Sequence, residues 1–132
     1  RRGALMTSRA LAGAVRAALD TRVSAEDADA TVRRVFQALR IEVNDEFGVL
    51  DAFLRQVPGC LRPGGRVAVM TFHSGEDRRV KKAFEHGARD GVYTTVSRDV
   101  ARASAAEQRA NPRASAAKLR WAVASPIMRR LQ

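Results

Sequence analysis

The sequence is poor in the residues that disulfides and metal centres require. Its 132 residues contain one cysteine, Cys60, and two histidines, His73 and His86. A single thiol cannot form an internal disulfide, and the two histidines lack the HExxH spacing of a zinc site. The sequence therefore predicts no metal centre, and its cysteine content is typical of a reducing compartment.

Long apolar runs and acidic residues are scarce as well. No apolar run reaches the roughly 20 residues of a membrane-spanning helix. The 24 basic residues outnumber the 14 acidic ones, which gives a net charge of +10, and only three of the basic residues are lysines. Arginine prefers planar, bidentate partners such as phosphate, so the charge indicates an RNA or DNA surface. A solvated basic surface explains the charge equally well.

The length suits one domain, and a hydrophobic content of 45% excludes wholesale disorder. The chain begins with arginine rather than methionine, and we expect it to be part of a longer one. Its arginine-rich start is compatible with a mitochondrial targeting peptide. Leu11, Val15 and Leu19 follow a helical repeat, however, and Thr7 or Ser8 can cap it. An ordinary amphipathic helix is the simpler interpretation.

Residues 20–31 are polar and predict a loop, which can include a short helical turn in its acidic half. Apolar residues with helical spacing then predict one helix from about Thr31 to Val57. Gly48 interrupts the pattern and predicts a close packing contact or a break. Pro58-Gly59 is expected to end the helix.

A polar stripe follows one side of that helix. Gln37, Arg40 and Asn44 are spaced i, i+3 and i+7, so they share a face. The stripe is either solvated, with local pairs from Arg40 to Glu42 and Asp45, or it lines a cleft.

The segment "LRPGGRVAVMTFHSGED" (61–77) predicts an α/β unit. Pro63-Gly64-Gly65 forms a turn, and residues 67–72 are apolar on both alternating faces, as in a parallel sheet covered by helices. A helix follows, with Val80, Ala83 and Phe84 inward and Gly87 or Gly91 as its stop. Strands are further predicted in residues 91–98 and 117–125, as an antiparallel edge pair.

Polar residues leave this strand at its carboxyl end, where open α/β sheets bind ligands. His73 and Glu76 are candidate acid–base groups, although His73 can also be a hydrogen-bonded histidine at the core edge. Ser74 and Asp77 have the spacing of a capping box, which accounts for both without a catalytic role.

Four segments together resemble one family. They are "MTSRALAGAVRAAL" (6–19), "RVFQALRIEVNDEF" (34–47), "LRPGGRVAVMTFHSGEDRRVKKAF" (61–84) and "ANPRASAAKLRWA" (110–122). Their order and content are similar to the C-terminal half of the RsmH (MraW) family, which methylates N4 of a cytidine in small-subunit ribosomal RNA with S-adenosylmethionine. The resemblance covers most of the chain from Arg34 to Ala122.

Several positions depart from the family pattern. Gly75 stands where the family usually has Leu, and Ala114 and Ala116 replace polar residues of its NPRSRSAKLR segment. "DADAT" replaces the family's His-Pro-Ala-Thr, and the segment around residues 87–91 is short. The family's glycine-rich donor loop is absent, so the resemblance implies that S-adenosylmethionine is bound by a part of the fold upstream of Arg1.

The resemblance implies an α/β fold, namely the C-terminal part of a Rossmann-like class I methyltransferase sheet with associated helices. Residues 1–30 would belong to the family's inserted helical region, and residues 31–132 to the methyltransferase domain. The implied catalytic residues are His73 and Glu76. The implied substrate-binding residues are Arg40, Asn44, Ser74, Asp77, Arg113, Lys118 and Arg120, the last three through phosphates.

The expected partners are small-subunit rRNA and the small ribosomal subunit or its precursor, with no membrane. The expected compartment is the cytoplasm, or else the mitochondrial matrix or another organelle. A different class of function stays open, that of a non-catalytic RNA-binding ribosome-assembly factor that keeps the fold as a scaffold. Phosphate contacts are expected from the clusters of basic residues: Arg78-Arg79, Lys81-Lys82, Arg109, Arg113, Lys118, Arg120 and Arg129-Arg130.

Overall fold

A computed structural model describes residues 7–126, and the chain divides into two compact units, Arg1–Glu46 and Phe47–Gln132. The sequence analysis placed a boundary after residue 30 instead. Its assignment of each part to a region of the family's fold stays a prediction. The basic pair Arg129-Arg130 lies outside the described residues.

Two helices make up the first unit. Helix α1, Ser8–Ala17, begins after Thr7, whose Oγ1 accepts a hydrogen bond from the Ala10 N–H at 3.1 Å, which confirms the predicted helix and its cap. Helix α2 spans Ala25–Asn44 and is capped by Ser24. Two acidic residues of the expected loop, Glu26 and Asp27, are therefore in the first turn of α2, where negative charge suits the helix dipole.

The single long helix predicted from the apolar spacing is two helices. Asp45 adopts a left-handed conformation, with φ of 48°, and helix α3 then runs Glu46–Cys60. A short polar side chain tolerates this conformation better than most. Gly48 lies inside α3, so the break precedes the predicted position by three residues. Pro58 lies within the last turn of α3 and does not end it.

The second unit is a three-stranded sheet with helices. Its elements after α3 are β1 (Arg66–Thr71), α4 (Ser74–Arg89), β2 (Tyr93–Val96), α5 (Ala105–Ala110), a 3₁₀ helix (Pro112–Ala116) and β3 (Lys118–Ala124). The strands follow the order β1-β3-β2, and both pairings are antiparallel. The predicted strand–helix unit and the antiparallel pair β2–β3 are confirmed.

Strand β1 departs from its prediction in two respects. It pairs antiparallel with β3, and no strand among residues 7–126 pairs with its other edge. Its inner face buries Val67 and Thr71, whereas Met70 on the outer face is 56% exposed. The apolar residues suit a strand covered on both faces, but the described part of the chain covers only one.

The core lies between the inner face of the sheet and helices α3 and α4. Val80 is fully buried, and Phe84 contacts the ring of Tyr93 edge-on, with ring centroids 5.5 Å apart. The inward side predicted for α4 is thus confirmed. Helix α4 continues through Gly87 and ends at Arg89, before Gly91 with its φ of 74°. Gly91 rather than Gly87 marks the stop.

Within residues 7–126, much of the outer face of the sheet is exposed. Ala68, Met70, Trp121 and Val123 lie on it, and a shallow groove of about 550 Å³ runs over part of it. Among the described helices, none is both long and apolar enough to cross a membrane.

Candidate functional site

The candidate site is the connection between β1 and α4. His73 is the N-cap of α4, and its Nδ1 accepts a hydrogen bond from the Glu76 N–H at 3.4 Å. In return, Glu76 Oε2 accepts one from the Phe72 N–H at 3.0 Å. The predicted capping box of Ser74 and Asp77 is therefore wrong. Capping falls to His73 and Glu76, because the helix already includes Ser74.

His73 is held close to the Glu76 carboxylate. Its side chain is 16% exposed, and its Nε2 lies 3.4 Å from Glu76 Oε1 without the alignment of a hydrogen bond. Because Nδ1 accepts a hydrogen bond, the neutral ring carries its proton on Nε2. The site thus presents an imidazole N–H beside a carboxylate that is 25% exposed. Such a pair can bind and move a proton.

The ring of Phe47 holds this connection from one side. It meets the His73 ring edge-on, with centroids 5.8 Å apart. A β-carbon at Gly75 would lie 2.9 Å from Phe47 Cζ, so the missing side chain leaves the space that the ring occupies. The Arg79 guanidinium lies 4.3 Å from the centroid of the same ring and pairs with Asp51.

Asp77 and Arg120 form a bidentate ion pair inside the fold. Arg120 Nε lies 2.7 Å from Asp77 Oδ1, and Nη2 lies 3.2 Å from Oδ2. The hydrogen bond from Arg120 lowers the pKa of Asp77, and it outweighs burial, which raises that pKa. Asp77 is therefore ionised at neutral pH and is a poor proton donor. The Arg120 side chain is only 9% exposed, so the predicted phosphate contact does not fit its position.

The other predicted ligands of the second unit lie in different settings. Lys118 faces Thr71 across the β1–β3 pairing, which brings it beside the strand end. Arg113 is exposed in the 3₁₀ helix, and Ser74 is exposed in the first turn of α4. Substrate contacts by these three residues, and by Asp77, stay predictions.

Arg40 and Asn44 belong to the first unit. Both converge on Glu46, with Arg40 Nε 2.9 Å from Oε1 and Asn44 Nδ2 3.4 Å from the same oxygen. Arg40 and Asn44 thus have Glu46 as a local partner, which the sequence analysis did not name beside Glu42 and Asp45. Their predicted place beside the substrate stays a prediction.

Phe72 was overlooked in the sequence because it was assigned to the strand core. It follows β1 directly and is 57% exposed. An exposed aromatic ring next to an acid–base pair is a suitable surface for a nucleobase. The sequence feature that could have identified Phe72 is its position as the last apolar residue before His73.

The glycine turn before β1 does not fit a bound methyl donor. Gly64 has a φ of 72°, the Gly65 N–H donates to the Arg62 carbonyl at 2.7 Å, and the Gly65 carbonyl accepts from the Ala124 N–H at 2.7 Å. These groups are occupied by the turn and the sheet, at the end of β1 opposite His73. The described residues therefore do not supply the glycine-rich cradle that nucleotide-type cofactors require.

Comparisons with known proteins agree with the resemblance read from the sequence. The family model described as "MraW methylase family" matches residues 1–125. "Ribosomal RNA small subunit methyltransferase H 1" of Lachnoclostridium phytofermentans is 57% identical over 93 residues, which are 70% of this chain and 25% of that protein. "Ribosomal RNA small subunit methyltransferase H" of Synechococcus sp. (strain WH7803) is 55% identical over 89 residues, 67% of this chain and 28% of that protein.

The chain spans about a quarter of the length of these curated relatives. Its helices and antiparallel sheet are the C-terminal part of a Rossmann-like class I methyltransferase fold, as expected. With 125 of its residues matched by the family model, the chain belongs to the MraW methylase family.

Proposed function

We propose that the chain forms the substrate side of an enzyme that methylates N4 of a cytidine in small-subunit rRNA, with S-adenosylmethionine as donor. The observation that carries this proposal is the strand end, where His73 and Glu76 form a half-buried pair beside the exposed ring of Phe72. Family membership and the net charge of +10 support it.

In the proposed reaction, these residues orient the cytosine and remove a proton from its N4. Cytosine N4 gains the methyl group that the donor supplies and releases one of its two protons. The Glu76 carboxylate accepts that proton, and the His73 ring, whose Nδ1 accepts a hydrogen bond from the Glu76 N–H, places Nε2 beside the carboxylate. General-base help of this kind is typically a factor of 10²–10⁴ in rate.

The target base has to leave its stack, or lie in an unpaired strand, to reach such a site. Phe72 offers it a stacking surface, and Ser74 offers a hydroxyl. Lys118 and Arg113 are positively charged and suit the flanking phosphates. Arg40 and Asn44 complete the substrate side in this proposal.

The donor is bound, in this proposal, by a part of a methyltransferase domain outside these residues. Two observations support it: the second edge of β1 has no strand partner among residues 7–126, and within them the outer face with Met70 and Trp121 is exposed. An added parallel strand and its helices would satisfy both. The partner is the small ribosomal subunit or its precursor, in the cytoplasm or, alternatively, in the mitochondrial matrix or another organelle.

A non-catalytic RNA-binding assembly factor is the second candidate. The engaged Gly64-Gly65 turn favours it, because the described residues hold no donor cradle of their own. Gly75 in place of the family's Leu also permits it, since catalysis would not then constrain this turn.

A chimera separates the two candidates. The matching segment of the Lachnoclostridium relative is exchanged for that of this chain, and the protein is incubated with small ribosomal subunits and donor. We expect N4-methylcytidine in the digested rRNA, detected by mass spectrometry, with the unaltered relative as positive control. A chimera that folds and binds RNA and donor but makes no N4-methylcytidine contradicts the enzyme and favours the assembly factor.

A further inference from the structure

Helices α3 and α4 enclose a groove that the candidate site does not use. Its volume is about 400 Å³, and Leu54, Pro58, Ala83 and Tyr93 contribute its apolar lining. Gly87 lies at its lower end, where the ring of Tyr93 approaches the helix so closely that a β-carbon would be 2.5 Å from Tyr93 Cδ2. The groove is therefore a feature of the packed second unit.

The rim of this groove carries three cations, Arg55, Arg79 and Lys82, and two acids, Asp51 and Asp90. Arg55 from α3 and Lys82 from α4 are exposed, and the described part of the chain offers neither of them an ion-pair partner. Asp51, on the same rim, is engaged by Arg79. The two acids offset two of the three cations, so the rim keeps a small net positive charge.

The groove extends away from the candidate site along α4. Arg79, Lys82 and His86 are spaced i, i+3 and i+7 and share one face of the helix. Seven residues of helix advance about 10 Å. Arg79 also stacks on Phe47, whose ring touches His73, so the upper end of the groove adjoins the strand end.

We propose that this groove, which we call the α3–α4 groove, binds the sugar–phosphate backbone of the RNA that flanks the target cytidine. An elongated groove with a net positive rim suits successive phosphates, and its apolar lining suits ribose or a splayed base. The inference rests on the proposed function. It adds a path by which the RNA leaves the site, through Arg55 and Lys82.

The chain offers a matched control one residue away. The sequence analysis grouped Lys81 with Lys82 as a phosphate contact, but Lys81 pairs with Glu85 at 3.7 Å and does not line the groove, so this proposal leaves it off the path of the RNA. We therefore compare Lys82→Gln with Lys81→Gln, and the double variant Arg55→Gln/Lys82→Gln with Arg62→Gln/Lys81→Gln. Each pair removes equal charge from exposed positions.

The measurement is binding of a fluorescent single-stranded fragment of small-subunit rRNA to the 132-residue chain over a range of salt. Loss of one phosphate contact should reduce the slope of log affinity against log salt by about 0.7, and loss of two by about 1.4. We expect these reductions for the groove variants and slopes close to the parent's for the controls. Circular dichroism verifies that all variants are folded.

Lysine acetylation gives a second, positional measurement. With only three lysines in the chain, we expect bound RNA to protect Lys82 while Lys81 stays reactive. If Lys81 and Lys82 behave alike in both measurements while the parent still binds RNA, the groove proposal is wrong and the proposed function is unaffected. Competition by polyglutamate as effective as by RNA of equal charge also overturns it, in favour of an acidic protein partner. A parent chain that binds no RNA overturns the groove and also argues against the rRNA partner, whereas the chimera assay tests methylation separately.

Discussion

At the scale of single residues, Glu76 combines two roles that the sequence could not separate. One carboxylate oxygen accepts the Phe72 N–H, and the other faces His73. The first interaction stabilises the start of α4, and the second is the basis of the proposed proton transfer. A substitution that keeps an acceptor but removes the basic carboxylate distinguishes them.

Glu76→Gln in the chimera is expected to reduce turnover by a factor on the order of 10², because the amide cannot take up the proton. Its carbonyl can still accept the Phe72 N–H, so the free energy of unfolding should change by less than about 1 kcal/mol. Steady-state methylation and urea unfolding measure the two effects. Glu107→Gln, an exposed change in α5, is the control. Unchanged turnover would remove Glu76 from the catalytic residues.

Asp77→Asn is expected to destabilise the second unit, by about 3 kcal/mol, because it leaves Arg120 buried without its counter-ion. The folded-state pKa of Asp77 is lowered, so the stabilisation is complete above the pKa of about 4 of an unfolded aspartate and is lost as pH falls through the folded value. Urea unfolding of parent and variant should therefore converge towards acidic pH. A constant difference down to pH 2, or no difference at pH 7, would contradict the assigned ion pair.

At the scale of elements, α4 packs closely on β2. Gly87 in the last turns of α4 allows the Tyr93 ring to lie against the helix backbone. Gly59 in α3, by contrast, has no atom near the place of a β-carbon. The two helical glycines thus differ in what a methyl group would meet.

Gly87→Ala is expected to lower the free energy of unfolding by about 1–3 kcal/mol, because the new methyl group overlaps the Tyr93 ring. Gly59→Ala should instead raise it by up to about 1 kcal/mol, through helix propensity alone. Thermal or urea unfolding of both variants is the measurement. Equal stabilisation by both substitutions would mean that Tyr93 does not pack on α4 as described.

The sequence predicted the positions of the helices and strands better than the contacts between their residues. Helical spacing located α1, α2 and α3, but it could not show the break at Asp45, since a left-handed aspartate leaves the apolar repeat on either side intact. The strand end was located correctly as a polar site. Its contacts were not, because Asp77 and Arg120 are 43 residues apart and nothing local indicates their pairing. Phe72 looked like a core residue, since its exposure depends on what covers the sheet.

At the scale of the whole molecule, the net charge of +10 and the exposed outer face of the sheet within residues 7–126 are the features behind the proposed partners. The +10 charge suits RNA, whereas both backbone groups of Gly65 in the turn before β1 are engaged by Arg62 and Ala124. When the 132 residues are studied alone, they should therefore bind RNA but not S-adenosylmethionine.

The isolated chain is expected to show no measurable heat on calorimetric titration with S-adenosylmethionine, because residues 7–126 supply no glycine-rich cradle at the carboxyl end of β1 and the Gly65 N–H and carbonyl are already hydrogen-bonded. The chimera should bind it under the same conditions. Low-micromolar binding by the isolated chain would place a donor site within it. That result would contradict the proposal that the donor is bound outside these residues.

The strand order has a consequence for how the protein is made. Strand β3 is central in the sheet yet follows β1 and β2 in the sequence, and these two do not pair with each other. On a translating ribosome, both early strands must wait without a hydrogen-bonding neighbour from this sheet until residues 118–124 have left the exit tunnel. Both pairings of this sheet therefore form in one late step, and a nascent chain stalled before Lys118 would expose the β3-facing edges of β1 and β2 to chaperones or to aggregation.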